Sequence, residues 1–345
     1  MESPLPILTA RRLALTLAAW AIGCGLVILA CTLLGQTKLP SSLQEIVHSP
    51  IWNLRLLRIL TAAIIGGCLA TGGLALQTML RNPLAEPYLL GISSGAGIGV
   101  LLAISFPATL LATTLGQGVC AVVFASATAA VVYALACNKG RVDDYSLILS
   151  GVIVNAINGA LLMFLLLYIP PQRIAEFMRW MMGEIPEINT AETLSIAAGG
   201  LLLPAGILLF SAKHYNALGL GSSVAQSLGV RIGRLRKLTF LMVAVMAAVS
   251  ISLAGPIAFV GLIVPHIARR LVRNDFRILL PVCLFGGAAF LAVADALCYV
   301  AGPMLGELFG SRASVASIPV GIATALIGGP FFLLLLRRSR REAGE

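Results

Sequence analysis

Long apolar segments recur along the whole chain, and they limit the possible folds more than any other feature. Each is roughly 15 to 25 residues long, which suits a helix crossing the hydrocarbon core of a bilayer. The ten segments are 13–35, 56–80, 88–106, 116–137, 145–169, 191–211, 238–255, 256–270, 278–300 and 317–336. The chain is 59% hydrophobic and 11% charged, outside the range of soluble domains. We therefore predict an all-α polytopic membrane protein with about ten transmembrane helices, forming a single membrane domain over residues 1–345.

The basic residues give this domain an orientation. Ten spans place both termini on one side, and the loops on that side hold 18 of the 24 lysines and arginines. Such an excess marks the cytoplasmic side of a membrane protein. We expect a cytoplasmic N-terminus (about 1–12), spans over about 13–336, a cytoplasmic loop at about 212–237 and a basic cytoplasmic tail at 337–345. The net charge of +10 then needs no nucleic acid to explain it.

The N-terminal segment and the cysteines permit other readings. Arg11 and Arg12, an apolar run and "ILAC" at 28–31 loosely imitate a lipoprotein signal with Cys31 as the lipidated residue. The run is long enough to span, and apolar segments follow it, so a membrane span is favoured. The seven cysteines lie in or at the ends of apolar segments, without CxxC or Cys/His spacing. This pattern favours packing roles and indicates no metal site.

Polar interruptions break two of the apolar segments. In "RNPLAEPYLLG" at 81–91, two prolines each remove a backbone donor and disfavour helix at the preceding residue. Glycines 91, 95 and 99 then share one helix face, which allows another helix to approach closely. A second interruption lies in "LAGPIAFVGLIVPHIARR" at 253–270, whose His266 is interpreted as an ordinary histidine near a helix end. The breaks fall in the third and eighth segments, a placement that favours an inverted repeat.

The predicted membrane interior carries little charge. Of the 14 acidic residues, only Asp295 lies clearly within an apolar segment, near its outer end. Carriers driven by protons or sodium ions usually need carboxylates within the membrane. The chain also lacks a GxxxxGK[ST] loop to hold ATP phosphates. This chain therefore cannot hydrolyse ATP by that route, and any ATPase must be a separate subunit.

Several motifs then occur in a fixed order along most of the chain. They are "NPLAEPYLLGISSGA" at 82–96, "SLILSGVIVNAING" at 146–159, "RWMMG" at 179–183, "AGPIAFVGLIVPHIARRLVRND" at 254–275, "ADALCY" at 294–299 and "IPVGIATALIGGPFFLLLL" at 318–336. Over residues 50–336 the chain resembles the FecCD/BtuC-type permeases of bacterial ABC importers. Those permeases are the membrane subunits for iron–siderophore complexes, haem and vitamin B12.

The resemblance implies an architecture and a set of partners. The expected fold is that of a type II ABC importer permease, with ten helices per subunit and a homodimer whose path follows the two-fold axis. Two cytoplasmic ATP-binding cassette subunits and an extracytoplasmic binding protein would complete the importer. ATP and Mg²⁺ would bind to the cassette subunits, so the resemblance implies no cofactor and no enzymatic activity in this chain. A metal chelate would be the substrate, and the location would be the bacterial cytoplasmic membrane.

Three groups of site residues also follow from the resemblance. The candidates for the cytoplasmic gate are Asn82, Leu84, Asp144 and Tyr145. The candidates for docking of the binding protein are Arg55, Arg58 and Arg312. The candidates for coupling to the ATPase are Gly221, Ser222, Ser223, Val224, Ala225, Gln226, Leu228 and Gly229.

The coupling candidates carry helix signals of their own. Ser223 and Gln226 have capping-box spacing, and Gly229 can end a short helix in a left-handed turn. Val224, Ala225 and Leu228 would supply a small apolar face. A helix of one to two turns is not stable alone, so we expect this one to lie against a partner surface.

Three positions depart from the family pattern. The segment 218–230 lacks the acidic residue that usually precedes the coupling helix, Ser317 replaces a glutamate, and Tyr299 replaces an arginine. Arg312 ends a longer outer segment and could take the place of that arginine. Details of docking on the outer face therefore stay open.

Two rival classes remain to be weighed. An ion-coupled secondary transporter or channel would need a membrane carboxylate for coupling. An intramembrane enzyme, such as a prenyl- or phosphotransferase, would need metal-binding carboxylates, and Asp143-Asp144 has no DDxxD-type partner cluster. Both are less favoured than the importer permease.

Overall fold

The structure is a computed structural model, and it describes residues 10–35, 49–105, 113–138, 141–142, 144–186, 190–272, 274–308 and 317–342. These ranges contain thirteen α-helices, a 3-10 turn at Pro87–Leu90, and a two-residue antiparallel pairing of Cys137–Asn138 with Arg141–Val142. The helices are α1 (Ala10–Leu33), α2 (Pro50–Leu80), α3 (Ile92–Ser105), α4 (Thr114–Ala136), α5 (Asp144–Leu166), α6 (Pro171–Met181), α7 (Ala191–Phe210), α8 (Ala212–Gly219), α9 (Ser222–Ser227), α10 (Ile232–Ala254), α11 (Val260–Leu271), α12 (Phe276–Leu308) and α13 (Val320–Glu342). The predicted all-α fold is confirmed.

Every predicted apolar segment contains a helix. Among the described residues, seven helices are long and apolar enough to cross a membrane, namely α1, α2, α4, α5, α7, α10 and α12. Helix α3 and the 320–334 part of α13 are shorter apolar helices. Helix α11 has 12 residues, so at 1.5 Å per residue it is about 18 Å long, well short of a full span. The predicted segment 256–270 is thus corrected, because its helix begins only at Val260.

Helix α2 lies at the centre of the structure. Its most apolar window is 89% buried, and it contacts α1, α7, α10, α11 and α12. Glycines permit two of these contacts, since a Cβ at Gly66 would collide with the carbonyl oxygen of Gly287 and a Cβ at Gly73 with that of Gly261. Membrane helices, which gain no hydrophobic driving force from one another in lipid, associate through such close approaches of small residues.

A substitution tests this contact. Gly66→Leu should force α2 away from α12 and lower the apparent Tm of the detergent-solubilised protein, with a cost of several kcal/mol, because overpacking against backbone cannot relax by rotamer changes. Gly23→Leu in α1 is the matched control, since nothing lies within 4 Å of a Cβ there. Thermal unfolding followed by size-exclusion chromatography measures both. Equal Tm values for the two variants would contradict the packing account.

The first predicted break is present. Arg81 ends α2 with a left-handed backbone (φ 48°), and Asn82 accepts the backbone N–H of Ala85 at 3.1 Å. The 3-10 turn Pro87–Leu90 follows and ends at Gly91 (φ 72°), so α3 starts at Ile92. Within α3, a Cβ at Gly95 or Gly99 would collide with α4. The interpretation as a close-packing helix face is therefore confirmed for Gly95 and Gly99, whereas Gly91 lies before the helix and a Cβ there would make only ordinary contacts.

The second break separates α10 from α11. Helix α10 ends at Ala254, Gly255 has φ 70°, and Phe259 has a left-handed backbone just before α11 begins. A Cβ at Gly255 would collide with the carbonyl oxygen of Trp180, so the chain turns here in direct contact with the end of α6. Both predicted interruptions are thus real, while the inverted-repeat relation between the halves stays a prediction.

Helix α6 was missed in the sequence. It follows Pro170 and begins at Pro171, and it buries Phe177 while Glu176 lies on its exposed side. The signal was available, because a proline suits the first position of a helix and Ile174, Phe177, Met178 and Met181 are spaced at helical intervals. Its polar residues kept it out of a search for long apolar segments.

The predicted packing role is confirmed for five of the seven cysteines. Five of the seven are buried, while Cys120 is partly exposed and Cys137 is exposed. Helix α1 continues through Cys31, which is 5% exposed.

Candidate functional site

The two interrupted regions touch each other inside the structure. Glu86, from the first break, is 9% exposed, and its Oε1 accepts the backbone N–H of Phe259 at 2.6 Å. Phe259 immediately precedes α11, where the first N–H groups of a helix have no partner within the helix. Glu86 therefore caps α11 from a distant part of the chain, and a carboxylate is favourable at this end of a helix.

A second side chain joins α2 to the same helix. Gln77 is 3% exposed, and its Nε2 donates to the carbonyl oxygen of Gly261 at 2.9 Å. Its Oε1 accepts a hydrogen bond from Nη1 of Arg269 at 2.6 Å. Since Gly261 and Arg269 lie about two turns apart on α11, Gln77 and Glu86 together fix the position of α11 against α2.

Sequence reasoning missed Glu86 as a buried carboxylate. The residue precedes a proline in a polar turn, and apolar periodicity cannot show that such a turn folds back into the interior. The statement that only Asp295 lies clearly within an apolar segment still holds, because Glu86 lies in the turn that follows α2. Both carboxylates are engaged, Glu86 by Phe259 and Asp295 by Arg58.

The predicted gate residues lie beside this region. Oδ1 of Asn82 accepts the backbone N–H of Leu84 at 2.9 Å, while the side chains of Leu84 and Tyr145 are 38% and 74% exposed. Asp144 is the first residue of α5, and its side chain lies outside the described part. Helix α5 contacts the Pro87–Leu90 turn, so the two groups of candidates come from neighbouring elements. Their gating role stays a prediction.

Helix α9 starts differently from the prediction. Its N-cap is Gly221, which has φ 134°. Because glycine has no side chain, this N-cap makes no side-chain hydrogen bond to the start of the helix. The capping box of Ser223 and Gln226 is therefore wrong, because the helix already begins at Ser222. The predicted end is confirmed, since Gly229 has φ 82° and the N–H of Val230 donates to the carbonyl oxygen of Ala225 at 2.9 Å.

The apolar face of α9 is also partly corrected. Ala225 is fully buried against this chain, so it offers nothing to a partner. Val224 and Leu228 are 41% and 63% exposed, and Leu220, just before the helix, is 71% exposed. We call Leu220, Val224 and Leu228 the α9 surface. It projects apolar side chains from a polar loop, which is typical of a protein contact.

This surface stands on a rigid base. Tyr215 of α8 is fully buried and stacks on Phe276, with ring centroids 4.2 Å apart. Thr239 donates its hydroxyl proton to the carbonyl oxygen of Leu235, so the Tyr215 hydroxyl donates to Thr239. Burial raises the pKa of Tyr215, which keeps the phenol neutral and able to donate.

Asn216 adds a second anchor. Its Nδ2 donates to Oδ1 of Asp275 at 2.7 Å, and its Oδ1 accepts the backbone N–H of Phe276 at 2.8 Å. Helix α8 is therefore held to the start of α12 through both atoms of one amide. The coupling candidates sit on a platform made by α8, α10 and α12.

A buried ion pair lies near the predicted outer end of α2. Nε and Nη2 of Arg58 donate to the two carboxylate oxygens of Asp295 at 2.9 and 3.0 Å, and the guanidinium lies over the ring of Tyr299 at 4.5 Å. Arg58 is 7% exposed and Asp295 1%. The prediction that Arg58 offers its charge to a binding protein is thus wrong for this structure, because the guanidinium is buried and paired with Asp295 of the same chain.

The other docking candidates differ from Arg58. Arg55 is half-buried, with its guanidinium against Gly35, and it lines a cavity of about 260 Å³ together with Arg58, Asp295 and Tyr299. Arg312 lies outside the described residues. Helix α2 begins at Pro50, before Arg55 and Arg58, so these two residues belong to a helix and not to a docking loop.

Helix α5 carries a polar residue on an outward face. Only 22% of its apolar window is buried, and Asn155 in its middle is exposed. Asn158 instead turns inward and donates to Ser94 at 3.2 Å. An exposed asparagine facing lipid would be unfavourable, so this face suits a protein contact or a polar path. Sequence reasoning missed it, although the "VNAING" pattern contained the signal.

Comparison with known proteins shows which family the chain belongs to. The model of the FecCD transport family matches residues 10–338. The chain belongs to the FecCD transport family. Curated FecCD relatives include the cobalamin import system permease protein BtuC of Halobacterium salinarum, 38% identical over 88% of this chain and 76% of that protein. The hemin transport system permease protein HmuU of Yersinia pestis is 36% identical over 85% and 84%.

Two further proteins extend the comparison. The achromobactin transport system permease protein CbrC of Dickeya dadantii is 37% identical over 84% of this chain and 79% of that protein. A solved metal-chelate type ABC transporter in an inward-facing conformation matches with a TM-score of 0.77 and 29% identity, covering 93% of this chain and 99% of that one. The recognition made from the sequence motifs is confirmed.

Two of the three departures from the FecCD pattern, Ser317 and Tyr299, have a local structural context. Oγ of Ser317 donates to Oε1 of Glu184 at 3.1 Å, so a carboxylate is still present at that junction, supplied by the residue after Gly183. Tyr299 lies over the Arg58 guanidinium and covers the ion pair. His266 lies within α11 with its ring edge-on to Phe331 at 5.9 Å.

Proposed function

We propose that this chain is the membrane-spanning subunit of an ATP-driven importer that carries a metal chelate across the bacterial cytoplasmic membrane. The substrate class is an iron–siderophore complex, haem or cobalamin. The chain would act as a homodimer with two ATP-binding cassette subunits, which bind ATP and Mg²⁺, and with an extracytoplasmic binding protein. It is not itself an enzyme in this proposal.

The match to the metal-chelate type ABC transporter carries the proposal. It covers nearly the whole of both chains, and the cobalamin, hemin and achromobactin permeases are related over most of their lengths. The α9 surface supports a contact with an ATP-binding subunit, because it exposes apolar side chains on a braced platform. Asn155 on the outward face of α5 supports a second copy of the chain around a polar path.

The ion-coupled alternative gains little from the buried carboxylates. Glu86 caps α11 and Asp295 is paired with Arg58. A coupling carboxylate must bind and release an ion during each cycle, whereas these two groups hold helices together. We therefore keep a single proposed function.

Purification from native membranes tests the assembly. The tagged chain, extracted in mild detergent, should bring an ATP-binding cassette subunit with it in equal amounts, identified by mass spectrometry. The complex should hydrolyse ATP in a vanadate-sensitive manner. Purification of a stable, folded chain that repeatedly lacks any ATP-binding subunit would contradict the proposal.

Thiol labelling tests the orientation. The background carries Cys120→Ser and Cys137→Ser, because the other five cysteines are buried. In this background, Ser222→Cys should react with a membrane-impermeant maleimide only from the cytoplasmic side, and Met178→Cys only from the outside. Both positions are exposed. The reverse labelling of either would refute the predicted cytoplasmic termini.

A further inference from the structure

The turn at residues 81–86 lies between two parts of the structure that are far apart in sequence. At its first residue, Nη2 of Arg81 donates to the carbonyl oxygen of Leu218, at the end of α8. The same guanidinium lies against Gly221, the residue that caps α9. The end of α2 is therefore tied directly to the segment that carries the α9 surface.

The other end of the turn touches the second break. Oε1 of Glu86 accepts the backbone N–H of Phe259 at 2.6 Å. The ring of Phe259 lies so close to α13 that a Cβ at Gly328 would collide with it. In the same break, the carbonyl oxygen of Pro256 lies against Gly183, which follows α6, and near Gly321 of α13. A shift of Glu86 would thus also displace α11 and α13.

The turn itself is short and stiff. Asn82 holds both the N–H of Leu84, through Oδ1, and the N–H of Ala85, through its carbonyl oxygen. Pro83 fixes its own φ angle, and Pro87 restricts the preceding Glu86 to an extended backbone, so few alternative conformations remain. A displacement at Arg81 therefore cannot be absorbed before it reaches Glu86.

Backbone conformation marks the same two contact points. Within the described ranges, only two residues other than glycine have positive φ, Arg81 at 48° and Phe259 at 70°. Such conformations persist where the surrounding contacts hold them, and they cluster at switch regions. The turn at 81–86 contains one of them and holds the other.

We propose that Arg81 and Glu86 are positioning residues that transmit movement of the α8–α9 segment to the α10–α11 break, and through it to the transport path. The inference rests on the proposed function, because the movement would come from an ATP-binding subunit on the α9 surface. Neither residue needs to touch the substrate. The contact of Arg81 with Leu218 and that of Glu86 with Phe259 together form a mechanical link between the cytoplasmic surface and the interior.

The test uses the whole importer in proteoliposomes and a thiol reporter at the gate. The reference chain carries Leu84→Cys with Cys120→Ser and Cys137→Ser. We expect ATP and vanadate to change the maleimide labelling rate of this thiol by about threefold or more, as the populations of two gate states shift. Arg81→Ala should keep the ATP-binding subunit and its ATPase activity but lose the change in labelling. Arg81→Lys should retain most of it, because an ammonium group can still donate to Leu218.

The other end of the link has its own pair of variants. Glu86→Gln retains a carbonyl oxygen that can accept the N–H of Phe259 and should respond like the reference, whereas Glu86→Ala should not. Arg277→Ala is the control, since it removes an exposed basic side chain from the first turn of α12. It should leave both the hydrolysis and the labelling response unchanged.

Each outcome decides something. A reference that shows no ATP-dependent response contradicts the proposed function and this inference with it. A reference that responds, with Arg81→Ala or Glu86→Ala responding equally, overturns the inference alone. Loss of the ATP-binding subunit in Arg81→Ala also overturns it, because the residue would then build the docking surface. If Arg81→Ala fails to fold, the Glu86 pair gives the decision.

Discussion

A chain with Leu228→Asp is expected to insert and fold normally but to lose its ATP-binding subunits and all ATP-driven transport. Leu228 is 63% exposed on the α9 surface, so a carboxylate is tolerated in the free chain. In the proposed interface the same carboxylate would be buried without a partner, at a cost of about 3 kcal/mol or more, which weakens binding more than a hundredfold. Co-purification of the ATP-binding subunit and uptake into proteoliposomes measure the two effects.

The control for this variant makes the same substitution at a similarly exposed leucine elsewhere. Leu308 is 75% exposed at the far end of α12, on the side predicted to be outside. Leu308→Asp should leave the ATP-binding subunit in place. If Leu228→Asp retains the subunit as well as Leu308→Asp does, the α9 surface is not the coupling contact.

The second large effect concerns the ion pair between α2 and α12. Asp295→Ala should destabilise the protein by about 3–5 kcal/mol, because it leaves the Arg58 guanidinium buried without its counter-charge. The double variant Arg58→Leu with Asp295→Leu should recover much of this loss, since well-packed apolar residues can replace a buried pair. The loss and its recovery should both be visible in the apparent Tm of the solubilised protein.

An exposed pair on α6 provides the comparison. Nη1 of Arg173 and Oε2 of Glu176 lie 3.1 Å apart, with side chains 36% and 42% exposed. Glu176→Ala should cost about 1 kcal/mol or less, as is usual for surface pairs. If Asp295→Ala costs no more than this, Arg58 is not locked within the chain, and its predicted docking role returns.

The fold was predictable where local signals decide it. Apolar length placed a helix in each of ten segments, and proline and glycine located both breaks and the turn at Gly229. Segment 256–270 was placed four residues early because an apolar stretch alone does not show that Gly255 and Phe259 take positive φ values. The start of α9 was missed for a similar reason. The positive φ of Gly221 lets the helix begin at Ser222, before the predicted serine cap.

The site was harder to predict because its contacts are distant in sequence. Arg58 and Asp295 are 237 positions apart, and Glu86 and Phe259 are 173 apart. The sequence pattern around Arg58 or Glu86 does not indicate which distant residue it will contact. The sequence predicts Arg58 as a docking residue and the turn that holds Glu86 only as a polar interruption, whereas tertiary packing buries both side chains. The motifs could indicate the family, but not which of their polar residues face inward.

The most direct test of the central claim is uptake into proteoliposomes that contain the permease, its ATP-binding subunits and its binding protein. Haemin, cyanocobalamin and a ferric siderophore serve as probes, each with and without internal ATP and Mg²⁺. The account predicts accumulation of at least one of them that requires ATP and stops with vanadate. Accumulation driven by an ion gradient without ATP, or no ATP-dependent uptake of any chelate by an assembled complex, would contradict it.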